Sequence, residues 1–109
     1  MRLGALIRAL EAMPRDAVVP FGFSRPNSYR GYYDQVAFAP AENVTVGSML
    51  AHARSAIGPT FTGWKGGDYT YDEWTDCWIA EPGDATGDGM GPTLLRYMLR
   101  AAIVPGLPA

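Results

Sequence analysis

The spacing of apolar residues predicts three helices. Apolar positions recur three and four residues apart in three stretches: Leu3, Leu6, Ile7, Leu10 and Met13; Val46, Met49, Leu50, Ala53 and Ile57; and Leu95, Met98, Leu99 and Ala102. Pro14 ends the first stretch and Gly58-Pro59 ends the second. Proline has no N–H to continue the helical hydrogen-bond ladder, and glycine is typical of the residue that follows a helix. Thr45 is a typical N-cap for the second helix, and Pro92 suits the first turn of the third.

Alternation of apolar and polar residues predicts short strands between these helices. Val19, Phe21 and Phe23 fall on one face of a first strand over residues 17–23, which should lie at a sheet edge or carry a bulge because Pro20 has no backbone donor. Residues 24–34 break the alternation and are interpreted as a loop. Further strands are expected over residues 34–39, 60–64, 68–71 and 75–80, with a hairpin across residues 72–74 joining the last two.

This order of elements predicts an α+β fold with a mainly antiparallel sheet of four or five strands and two or three helices packed on one face. The chain has 109 residues, enough for one ordinary domain, which we place at residues 1–104. Pro105 and Pro108 mark residues 105–109 as a frayed C-terminal tail.

The charges are distributed unevenly along the chain. The net charge of -2 combines +3 over residues 1–65, -7 over residues 66–91, which contain no base, and +2 over residues 92–109. This asymmetry predicts a basic face and an acidic face. The acidic balance argues against a nucleic-acid polymer as partner, and the lack of an 18-residue apolar run argues against a membrane. No signal-peptide pattern is present, so an intracellular protein is expected.

Residues suited to catalysis or metal binding are few, so we expect a non-enzymatic protein without cofactor or metal. The single cysteine, Cys77, lies in an apolar strand, where a thiol usually serves as a small buried hydrophobe. The single histidine, His52, lies beside the apolar stripe of the second helix. Asp84 and Asp88 resemble the start of a calcium loop, but Leu95 occupies the position of the closing glutamate.

Two glycine-containing segments place cations beside aromatic rings and form the candidate ligand site. The first covers residues 24–34 (SRPNSYRGYYD) and the second residues 62–69 (TGWKGGDY). Gly66 and Gly67 can adopt positive φ, which lets backbone N–H groups converge on a ligand. The candidate ligand-binding residues are Arg25, Tyr29, Arg30, Tyr32, Tyr33, Trp64, Lys65, Gly66, Gly67 and Tyr69.

These residue types are those of a site for a phosphate-bearing, nucleotide-like small molecule. Arg25, Arg30 and Lys65 would contact phosphate, and the tyrosine and tryptophan rings would stack on a base. A chain this short offers a shallow pocket, so a homo-oligomer that completes the site is expected. Two alternatives remain: internal packing of the rings with Arg30 paired to Asp34, or an interface with a protein, since Tyr, Trp and Arg also dominate interface hot spots.

The combination of SYRGYYDQ, TVGSML and TFTGWKGGDY resembles small proteins encoded by tailed bacteriophages, over residues 3–81. The resemblance implies a viral accessory protein that acts in the host bacterial cytoplasm against host defence. Such a protein would act as a sponge that sequesters a nucleotide signalling molecule, or alternatively as an inhibitor that binds a host defence protein through its aromatic loops.

Overall fold

A computed structural model describes residues 1–105 and confirms the α+β fold. Its elements follow the order α1 (Leu3–Glu11), β1 (Val18–Tyr29), β2 (Tyr32–Thr45), α2 (Val46–Ser55), β3 (Thr60–Thr62), β4 (Asp68–Thr70), β5 (Cys77–Ile79), β6 (Asp88–Gly89) and α3 (Pro92–Arg100). The three helices lie where the apolar spacing predicts them. The predicted C-terminal tail falls outside the described residues, apart from Pro105.

The strands form a mixed four-stranded sheet of order β1-β2-β5-β6 and a separate antiparallel pair of β3 with β4. Strand β5 runs parallel to β2, while the β1–β2 and β5–β6 pairs are antiparallel. The predicted hairpin between residues 68–71 and 75–80 is therefore wrong. Cys77 and Ile79 are buried, and pairing with the buried part of β2 removes more of their apolar surface from water than the largely exposed β4 would.

The hairpin of β1 and β2 is longer than predicted, because β1 continues through most of residues 24–34 and turns only at Arg30-Gly31. The prediction of a loop there is wrong. Two irregularities in strand pairing, between Phe23 and Pro26 and between Ser28 and Tyr29, shift the register. Such shifts break the two-residue alternation on which a strand prediction depends.

Phe21 is 59% exposed although Val19 and Phe23 are fully buried, so the three side chains do not share one environment as their predicted position on one face of the strand implies. Strand β1 does lie at the sheet edge, as Pro20 predicts. Pro20 stands between the pairs Val19–Val44 and Phe21–Glu42, opposite Asn43, whose φ is 53°. A left-handed residue facing a proline interrupts the regular pleat, and Phe21 leaves the core at this point.

The core lies between the helices and the sheet. Its fully buried members come from α1, β1, β2 and α2 and include Leu3, Leu6, Leu10, Val19, Phe23, Val36, Phe38, Val46 and Met49. The rings of Phe23 and Phe38 lie 4.7 Å apart at its centre. Thr45 caps α2 as predicted, since its hydroxyl accepts a hydrogen bond from the Ser48 N–H at 3.0 Å. None of the helices within residues 1–105 is long and apolar enough to cross a bilayer.

Candidate functional site

The two predicted segments meet at the end of the β1–β2 hairpin. The indole N–H of Trp64 donates a hydrogen bond to the Ser28 carbonyl at 2.9 Å, across 36 residues of chain. The rings of Tyr33 and Tyr69 lie 6.3 Å apart. The hairpin turn at Arg30 and the glycine turn that carries Lys65 therefore belong to one region of the surface.

The glycine turn has the conformation that its sequence predicts. Gly66 and Gly67 have φ values of 88° and 83°, and N–H groups of Gly63 and Gly66 donate to the carbonyls of Gly67 and Gly63, each at 2.9 Å. A side chain at Gly63 would approach the Tyr69 ring to 2.7 Å, so the close packing of Tyr69 requires glycine there. The turn leaves Lys65 exposed, without an ion-pair partner within residues 1–105.

A third segment, the loop over residues 81–87, joins this region and was missed by the sequence analysis. Arg30 Nη1 donates to the Gly83 carbonyl at 3.0 Å. The Tyr29 hydroxyl donates to the Ala85 carbonyl at 2.9 Å and accepts from the Gly87 N–H at 3.0 Å. The partners lie more than 50 residues apart, and a turn-rich loop has no sequence signal that would associate it with a distant tyrosine.

The same loop brings a carboxylate close to Arg30. Asp84 accepts hydrogen bonds from the hydroxyl and the N–H of Thr86 at 2.7 and 2.8 Å. These bonds, helped by the nearby positive charge of Arg30, hold the pKa of Asp84 below its usual range. Arg30 therefore faces both a neutral carbonyl and a stable negative charge, and it is not paired with Asp34 as one interpretation of the sequence expected.

Two tyrosines of the hairpin and Trp78 of β5 form a small aromatic stack on the outer face of the sheet. Tyr29 stacks on Trp78 with centroids 4.5 Å apart, and Tyr32 lies 6.0 Å from the Trp78 ring. Tyr29 is only 3% exposed, whereas Tyr32 is 57% exposed. The Trp78 indole N–H donates to the side-chain carbonyl of Gln35. Tyr32 therefore keeps more than half of its surface exposed to solvent, while its ring packs next to those of Tyr29 and Trp78.

Two further predicted residues take different positions. Arg25 is exposed on β1 and lies five residues before Arg30, a separation of about 15 Å on an extended strand. Tyr33 is half-buried, and its carbonyl accepts hydrogen bonds from the hydroxyls of Ser28 and Tyr71 at 2.9 and 3.0 Å. Arg25 lies away from the hairpin turn, and Tyr33 contributes to packing.

The hairpin end is an open platform rather than a closed cavity. Tyr32 and Trp64 are 57% and 48% exposed. Three depressions of the described surface, with volumes of about 380, 140 and 520 Å³, are not lined by Arg30, Tyr32, Trp64 or Lys65. Within residues 1–105, no three His, Cys, Asp or Glu side chains group together as a metal site. A ligand at this platform would be held on one side only.

Cys77 should resist thiol reagents in the folded protein. Burial raises the pKa of its thiol to about 12, while an unfolded thiol ionises near pH 8.5. We expect thiol-reagent labelling at pH 8 to be at least about 100-fold slower in buffer than in denaturant, because only the thiolate reacts. The raised pKa also means that its contribution to stability is complete below pH 8.5 and is lost as the pH rises towards 12. Equal labelling rates would contradict this environment.

No protein-family model, no curated protein and no solved structure matches the chain. The fold and the site together define a small α+β domain in which Arg30, Lys65 and exposed aromatic rings lie at one end of its longest hairpin. The similarity to bacteriophage proteins stays a prediction.

Proposed function

We propose that this protein is a non-catalytic binder that sequesters a phosphate-bearing, nucleotide-like signalling molecule at the end of the β1–β2 hairpin. One contact carries the proposal above all, the hydrogen bond from Trp64 to the Ser28 carbonyl. It places the turn with Arg30 and Tyr32 beside the turn with Lys65. Without that contact, the two cations would belong to unrelated parts of the surface.

The proposed platform supplies both kinds of contact that a nucleotide requires. Arg30 is exposed, and its Nη1 donates a hydrogen bond to the Gly83 carbonyl. The other guanidinium N–H groups remain as donors for a phosphate. Lys65 adds a second positive charge, and the exposed rings of Tyr32 and Trp64 offer faces for a base. The left-handed Gly66 and Gly67 let a ligand approach the backbone closely.

Binding without catalysis, that is sequestration of the ligand, is the mode of action that we propose. The Cys77 thiol, with its pKa raised to about 12, is protonated at neutral pH and is no nucleophile there. The resemblance to bacteriophage proteins suggests a bacterial host cytoplasm as the place of action and a host defence signal as the ligand. A sponge of this kind lowers the free concentration of the signal by binding alone.

Thermal unfolding with a panel of cyclic dinucleotides, cyclic trinucleotides and cyclised ADP-ribose tests the proposal. A ligand present at 100 times its Kd should stabilise the protein by about 2.7 kcal/mol, which corresponds to a rise in Tm of several degrees. Arg30→Ala and Lys65→Ala should each weaken binding at least about tenfold. Asp84→Asn should strengthen it, because the amide keeps the acceptor for Thr86 and removes the negative charge near Arg30.

Arg8→Ala is the matched control, since Arg8 is an exposed arginine on α1. It should bind the ligand as the unaltered protein does. Absence of any thermal shift across the panel would contradict the proposal. So would a shift that Arg30→Ala and Lys65→Ala leave unchanged, because the ligand would then bind elsewhere.

A second candidate function is inhibition of a host defence protein through the same platform. The openness of the hairpin end favours it, since exposed Tyr32 and Trp64 suit a flat protein interface as well as a base. The net charge of -7 over residues 66–91 would steer a basic partner. Isolation from host lysate discriminates the two: a stoichiometric protein favours inhibition, and a small molecule released by heat favours sequestration.

A further inference from the structure

A second surface, between β1 and α3, exposes large apolar side chains. Phe21 on β1 is 59% exposed and Tyr97 on α3 is 65% exposed. Between them lies a depression of about 140 Å³ lined by Pro20, Phe21, Tyr97, Met98 and Ala101. We call this surface the β1–α3 face. Exposed apolar groups of this size that gather in one place usually mark an interface.

The charges around the β1–α3 face are divided between its two sides. Arg96 and Arg100 are exposed on α3, on the side of Tyr97. On the other side, Phe21 also borders a larger depression of about 380 Å³, whose lining includes Glu42 and Glu81. Within residues 1–105 none of these four charged side chains forms an ion pair. Phe21 thus stands between a basic half and an acidic half.

We propose that the β1–α3 face binds a second copy of this chain in a twofold-symmetric dimer with Phe21 near the axis. A twofold axis at this position brings α3 of each copy over the acidic depression of the other. Tyr97 of each copy then enters the acidic depression beside Phe21 of the other copy. Arg96 and Arg100 of each copy face Glu42 and Glu81 of the other. In such an interface one patch must complement itself, and the division of charge about Phe21 meets that requirement.

The edge of β1 favours contact through side chains over extension of the sheet. Pro20 and Pro26 provide no N–H for pairing with a further strand. The position next to Val18 is already taken, because the backbones of Val18 and Ile103 exchange two hydrogen bonds of 2.8 Å. The partner therefore meets side chains of β1 and α3, which is where the exposed rings lie.

Sedimentation equilibrium of the full chain over a range of concentrations tests the proposal. We expect a monomer–dimer equilibrium in which Phe21→Ser and Tyr97→Ser each raise the dimer Kd at least about tenfold. Both side chains are exposed, so these variants should keep the circular dichroism and Tm of a folded domain. Trp74→Ser is the matched control: Trp74 is 63% exposed, beside Arg2, and its loss should leave the Kd unchanged.

Reversal of charge gives a second, more specific measurement. Arg100→Glu and Glu42→Arg should each weaken the dimer, and the double variant should recover much of the lost affinity, since opposite charges again face each other. A monomer at all concentrations overturns the proposal, as does a dimer that Phe21→Ser and Tyr97→Ser do not weaken. Arg30→Ala should leave dimerisation unchanged, so the outcome is independent of ligand binding at the hairpin.

Discussion

Phe38→Ala is expected to lower the free energy of unfolding by about 3–5 kcal/mol. Phe38 is fully buried and its ring lies 4.7 Å from that of Phe23. Phe38 also lies on an inner strand of the sheet, where it pairs with Pro26 of β1 on one side and with Ile79 of β5 on the other. Removal of the ring therefore leaves a cavity between the sheet and the helices that cannot easily close.

Urea denaturation followed by circular dichroism measures this loss. Phe21→Ala is the matched control, because it removes the same atoms from a side chain that is 59% exposed. We expect it to cost less than about 1 kcal/mol in dilute protein, where any dimer is dissociated. Similar losses for the two variants would mean that Phe38 does not lie in a closely packed core.

Tyr29→Ala is expected to cost about 3 kcal/mol, although Tyr29 lies in a segment that resembles a loop by sequence. The ring is 3% exposed and stacks on Trp78 at 4.5 Å. Its hydroxyl also forms the hydrogen bonds to Ala85 and Gly87 that hold the loop over residues 81–87 against the hairpin. The substitution removes the stacking and both hydrogen bonds together.

Tyr29→Phe separates the two contributions, since it keeps the ring and removes only the hydroxyl. We expect a loss of about 1 kcal/mol and faster hydrogen exchange at the Gly87 amide, whose acceptor is gone. Exchange at amides of the helix α1 should change little and provides the internal control. Unchanged protection at Gly87 would show that the loop is held by other contacts.

The helices of this protein could be predicted because their signals are local. The stripe of Leu3, Leu6 and Leu10 is buried as its spacing predicts, and Thr45 caps α2 with its own hydroxyl. Positive φ at Gly66 and Gly67 rests on an equally local property, because a glycine, which has no Cβ, can adopt that conformation without steric cost. Each of these features depends on residues within a few positions of one another.

The pairing of the strands could not be predicted in the same way. Strand β5 was expected to form a hairpin with β4, yet it lies parallel to β2 because that position buries Cys77 and Ile79 beside Val36 and Phe38. The exposure of Phe21 likewise depends on Asn43, which faces Pro20 from the neighbouring strand. Which partner a strand takes depends on how much apolar surface each possible pairing buries. That area depends on residues from the whole chain and not on neighbours in sequence.

The amino-acid sequence by itself determined which residues carry charge, rings and conformational freedom, and it therefore identified both candidate segments. Only the tertiary structure decided that they meet, through Trp64 and Ser28, and that Tyr29 faces inward while Tyr32 faces solvent. It alone added the loop over residues 81–87 to the site. The physical reason is that backbone preference acts between neighbours in sequence, whereas burial and hydrogen bonding act between neighbours in space.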